Sequence, residues 1–173
     1  MHQKTLMFPV LLLAFAGLMN EALPAEPDIS ANTANIRVYQ EGDITLYPGD
    51  ICYGANNPAA IHAAASGFGI FNTHKRVGMP VTDDIPGSYN EYVIPAGLPM
   101  SVMLQGDGEK DGIKLHCGPT GAKFFPQAGR NYDVSMAYTG ICSVQIRELF
   151  EISPGKAVTS RTPASSTFAC PTK

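Results

Sequence analysis

Three histidines in the body of the chain, His62, His74 and His116, are the first candidates for metal or acid–base chemistry. They stand 12 and 42 positions apart, and none forms the H-x-H or H-x-x-x-H pair that brings two imidazoles to one side of a strand or helix. Asp83, Asp84 and Glu91 supply carboxylates for an acid pair or a calcium site. Adjacent side chains diverge on an extended backbone, however, so a solvated loop is the preferred reading. Asp107, Glu109 and Asp111 alternate within DGEKDG. There, Lys110, two glycines and the missing distal Glu suit an exposed hairpin tip better than an EF-hand loop. Ser66 and Ser88 lie in no G-x-S-x-G elbow. Seven tyrosines allow a carbohydrate or peptide platform, which ranks below their use as strand residues with the hydroxyl at the rim. No catalytic residue, cofactor or metal is assigned.

The cysteines speak more clearly. Cys52, Cys117, Cys142 and Cys170 are even in number and at least 25 positions apart, unlike the close C-x-x-C pairs of zinc sites. Two disulfides are expected. In IKLHC, Ile113, Leu115 and Cys117 alternate with Lys114 and His116; in CSVQI, Cys142, Val144 and Ile146 alternate with Ser143 and Gln145. Both cysteines therefore take the buried phase of a strand, and His116 the exposed one. Of three connectivities the preferred one joins Cys117 to Cys142 and leaves Cys52 to Cys170, tying the start of the domain to its end.

The elements that must position these residues are short strands. IRVYQ, ITLY, EYVI, PMSVMLQ, IKLHC, AKFF, NYDVSMAY and CSVQIREL follow one another between turn formers. The clearest period of two is Tyr132, Val134, Met136 and Tyr138 against Asp133, Ser135, Ala137 and Thr139, which predicts one buried face and one wet face. Tyr47-Pro48-Gly49-Asp50 suits a type II turn, and Pro95-Ala96-Gly97 and Pro126 to Gly129 repeat the theme. The single helical candidate is Pro58 to Ala65, with Asn57 as its cap. The expected fold is all-β, an antiparallel β-sandwich of about seven or eight short strands with at most one short helix and two disulfides. An open barrel is the alternative.

At the start, Thr5 to Met19 is an uncharged run too short to span a bilayer, and it ends at Asn20 and Glu21. Residues 1–25 read as a secretory signal cut near Ala25, or after Ala22 because Leu23 is a large residue at the −3 position. Glu26 to Ala34 is an exposed lead-in, and 35–173 form one sandwich domain. An uncleaved anchor is the minor alternative. The chain of 173 residues is 45% hydrophobic and 16% charged with net charge −3, which favours a packed core. Its cations are scattered, so no basic stripe for nucleic acid is present. A periplasmic or secreted location is expected, with no membrane span after cleavage.

Phe71 to Asn90 shows no strand period and contains Gly78, Pro80, Pro86 and Gly87. A long irregular segment in a small domain is often functional, and the candidate binding loop is placed here, with His74, Arg76, Met79, Asp83 and Asp84 as its contact residues.

The succession IRVYQ, ITLYPGDICYG, VGMPVTDD, EYVIPAGLPMSVML, LHCGP, AKFFPQAGRNYDVSM and CSVQIREL resembles a group of small exported proteobacterial proteins, over residues 35 to 150. The VIPAG and FPQAGRNY pieces are similar to prealbumin-like sandwich modules. That resemblance implies export, disulfides and a sandwich, and assigns no residue a role. The expected function is a non-catalytic binding module for a protein or envelope component. The alternatives are an inhibitor or immunity protein of an exported enzyme, and a small hydrolase.

Overall fold

A computed structural model describes residues 32–54, 56–65, 74–83, 87–110 and 112–171. The expected signal, most of the expected lead-in and Asp84 lie outside the described residues, as do the side chains of Ile113 and Leu115. Strands β1 (Thr33–Tyr39), β4 (Tyr89–Pro95), β7 (Asn131–Tyr138), β8 (Cys142–Ser153) and β9 (Lys156–Arg161) form a first sheet in the order β4-β1-β7-β8-β9. A second sheet, in the order β10-β6-β5-β2-β3, holds β2 (Asp43–Pro48), β3 (Ile61–Ala64), β5 (Met100–Lys110), β6 (Ile113–Phe124) and β10 (Ser165–Thr167). Neighbours run antiparallel except β1 and β7, which are parallel.

The fold is the expected β-sandwich. Alternate residues of each strand point into it: Ile36 and Val38 of β1, Ile44 and Leu46 of β2, Val102 and Leu104 of β5, Tyr132 and Val134 of β7 share one core. Phe124 and Tyr132 meet edge to face across the two sheets, 5.1 Å between ring centres. Each such side chain contributes about 1.5–3 kcal/mol by leaving water.

Both predicted disulfides are present, Cys52–Cys170 and Cys117–Cys142. The second joins β6 to the first residue of β8 and so links the sheets. The first holds the tail, where Tyr53 pairs with Ala169 through the bonds Tyr53 N to Phe168 O and Cys170 N to Tyr53 O. Gly121 makes room for this: a Cβ there would stand 2.6 Å from the Tyr53 ring. At the turn after β2, Gly49 has φ of 84° and Asp50 N reaches back to Tyr47 O, as Tyr-Pro-Gly-Asp demands.

Four features depart from expectation. The helix at Pro58 to Ala65 is not formed. Asn57 does cap, its Oδ1 accepting from Ala59 N at 2.8 Å, but it caps a turn that leads into β3. An eight-residue helix gains little on its own, whereas strand pairing with β2 buries Ala63 and Ala64. IKLHC and AKFF are one strand, β6, and the tail adds β9 and β10. Among the described residues, Thr33 and Ala34 of the expected lead-in belong to β1, with Ala34 in the core. The polar face of β7 supplies the fourth and largest difference.

Candidate functional site

Asp133 and Ser135 lie on the polar phase of β7, yet Asp133 is 0% exposed and Ser135 is 5% exposed. The expectation of a wet outer face is wrong here, and strand register explains why burial is tolerated. Glu91 on β4 sits opposite Arg37 on β1, Arg37 opposite Asp133 on β7, Asp133 opposite Arg147 on β8, and Arg147 opposite Arg161 on β9. One row of charge thus crosses all five strands of the first sheet, alternating in sign until the last pair. Directly opposed side chains are close enough to neutralise one another.

The bonds follow the register. Arg37 Nε and Nη2 donate to Glu91 Oε1 at 3.2 and 2.8 Å, with both side chains buried. Arg147 Nε donates to Asp133 Oδ1 at 2.9 Å. Tyr39 lies two residues beyond Arg37 on the same face and is fully buried. The Tyr89 ring flanks this group, 4.7 Å from the Arg37 guanidinium and 3.7 Å from that of Arg76.

What covers the Glu91 and Arg37 end of the row is the segment following the undescribed residues 66–73. Residues 75–81 run across the outer face as a strap. At the β4 side, Glu91 N donates to Lys75 O at 2.8 Å and Lys75 N to Asn90 Oδ1 at 3.1 Å. In the middle, Glu91 Oε2 accepts from the amides of Val77, Gly78 and Met79 at 2.8, 3.1 and 3.3 Å. Arg37 Nη2 meanwhile reaches the carbonyls of Met79 and Pro80. At the far side, Met79 packs with Leu149 and Ala157 in a second small core, and Val81 adds to the β9 edge through bonds to Gly155 and Ala157.

The electrostatics match this clamp. Burial alone would raise the Glu91 carboxyl, but Arg37 and the strap amides together hold it below the usual carboxylate range. For Asp133 burial prevails over the attraction of Arg147 and Arg37, and its carboxyl is pushed up. Burial, and then the nearby Asp133 charge, push the Tyr39 hydroxyl up as well. Arg37 Nη1, Tyr39 OH and Asp133 Oδ2 are buried and, among the described residues, have no hydrogen-bond partner. Glu91 uses both oxygens on five donors. The row is therefore an anchor for backbone, and what meets solution is the surface it holds in place.

That surface contains some of the loop residues singled out above. His74 and Arg76 are exposed on the strap, Asp83 is exposed beyond its far end, and Asp84 is outside the described residues. Met79 points inward and serves as an anchor. Glu91, read above as part of a solvated acidic loop, is instead 1% exposed. The histidines stay apart: His62 bonds Thr45 on β2, His116 pairs with Asp107 at 2.6 Å in the open, and His74 stands on the strap. Among the described residues, no group of three or more His, Cys, Asp or Glu could hold a metal ion. Arg37, Asp133, Arg147 and Arg161 were not legible as a group. Each is a charge inside an otherwise strand-like stretch, which is the one signal the sequence offers for a buried ionic row.

Among the described residues, no helix is long and apolar enough to cross a membrane. Comparison with known proteins returned no match to a family model, to a curated protein or to a solved structure.

Proposed function

We propose that this chain is an exported, non-catalytic binding module that recognises a protein or another component of the envelope with the strapped outer face of its first sheet. Export, to a periplasm or beyond the cell, is supported by the signal-like residues 1–25 and by two disulfides, which persist in oxidising compartments. The observation that carries the binding reading is the five-donor grip on Glu91. It fixes the strap backbone while His74, Lys75, Arg76 and Val77 remain exposed. A surface ordered in advance loses little conformational entropy when a partner docks. Its basic character fits an acidic partner surface.

The immobilised domain is expected to retain a specific protein from an envelope extract. Reversing charge with Lys75→Glu and Arg76→Glu should weaken that capture by about tenfold or more. Equal capture by wild type and variant would remove the strap from the function. The same rigid, exposed backbone at Val77 and Gly78 also suits an inhibitor or immunity protein, in which case one exported enzyme comes down in fixed ratio and loses activity. Turnover by the purified domain that vanishes on changing His74 or Asp84 would overturn the binding reading in favour of a small hydrolase.

A further inference from the structure

The charge row ends on an imbalance. Arg147 and Arg161 face each other across β8 and β9, and Asp133 is committed to Arg147. Arg161 is exposed and, among the described residues, meets no carboxylate. β9 also stops early. Its last bond to β8 runs from Thr162 N to Ile146 O at 3.3 Å, and Pro163 follows. Proline has no amide to continue a ladder, and the chain leaves for β10 in the other sheet. On a strand, N–H and C=O groups of alternate residues point to the same edge. Ile146 O points towards β9, so the amide and carbonyl of Val144 point the same way, where no described strand meets them.

A groove of about 500 Å³ lies along that edge. Ser143, Val144 and Gln145 form one wall, and Arg161, Thr162 and Pro163 the other. The groove thus combines an open strand edge with an uncompensated guanidinium.

We propose that this groove is the docking site for an extended segment of a partner protein, which adds as a strand to the Val144 edge of β8 and sets an acidic side chain against Arg161. That the occupant belongs to a protein rests on the binding reading above. The occupant's backbone would pair with Val144, as in other cases of strand addition, where main-chain bonds supply affinity and side-chain pockets supply specificity. Its carboxylate would accept from the guanidinium, a charge-assisted pairing.

The test uses the isotopically labelled domain and the blocked pentapeptide acetyl-Thr-Val-Glu-Val-Thr-amide. Titration to about 10 mM should shift the Val144 and Ile146 amide resonances and slow hydrogen exchange at Val144, the mark of an added strand. Replacing the peptide Glu by Gln, or using Arg161→Glu, should each weaken binding by about tenfold. A peptide N-methylated on alternate amides should fail to bind if a strand is added.

No shift at Val144 or Ile146 would overturn the proposal, as would binding that ignores the carboxylate. Binding that follows the carboxylate but ignores N-methylation would leave a simple anion site and refute strand addition. Failure of the groove can be told from failure of the binding reading. Capture of an envelope protein that survives Arg161→Glu sinks the groove alone, whereas peptide binding without any captured protein sinks the module reading.

Discussion

Glu91 carries more of the outer face than any other residue, because its two oxygens join a strand, an arginine and three successive strap amides. Glu91→Gln keeps the size but removes the charge, leaving Arg37 buried without its partner. A loss of about 3–5 kcal/mol in urea unfolding is expected. The sign of the pH dependence follows from the depressed carboxyl. Glu91 contributes stability that is fully present above its unfolded value near 4.5. That contribution is lost as pH falls through the lower folded value. Wild type should therefore lose stability in acid more steeply than Glu91→Gln. Asp133 works in the opposite sense. Its folded carboxyl is raised, so the contribution is present below the unfolded value and disappears as pH rises through the folded one. Unfolding of Asp133→Asn across the same pH series should lack that decline. A wild-type profile parallel to both variants would refute the assigned roles.

At the scale of elements, the strap is an extra half-layer held by one apolar contact and a set of polar ones. Met79→Ala removes the contact with Leu149 and Ala157. It should cost about 2 kcal/mol or somewhat more, with faster hydrogen exchange at Val81 and Ala157 than in the main core. β3 teaches a different lesson. PAAIHAAA reads as a helix start because Asn57 and Pro58 are good entry residues and alanine is a good helix former. The competing strand pairing with β2 depends on residues far along the chain and does not show in the local pattern. Gly121 is a similar case, since nothing beside it announces the Tyr53 ring. Gly121→Ala should displace Tyr53 and Thr167 and cost about 1–3 kcal/mol. Early loss of protection at the Cys170 amide would report it.

For the molecule as a whole, the two disulfides divide the labour of closure. Cys52–Cys170 spans 118 positions and Cys117–Cys142 spans 25. In the chain-entropy view their contributions are about 5 and about 3.5 kcal/mol. Cys52→Ala with Cys170→Ala should thus lower the melting temperature more than the Cys117 and Cys142 pair does. The reverse order would show that joining the sheets matters more than closing the long loop. Sandwich architecture, strand phase and cysteine pairing could all be read from residue order, because each rests on a period of two, on turn formers or on a count of cysteines. Tertiary structure alone decided which polar phase stays dry. A period of two separates the faces of a strand, but it says nothing of what covers them. Asp133 is buried between its register neighbours Arg37 and Arg147, with Arg147 bonded to it, and a strap from between β3 and β4 covers the Arg37 and Glu91 end of the row. Register and cover both join residues distant in sequence, so they exist only once the chain has folded.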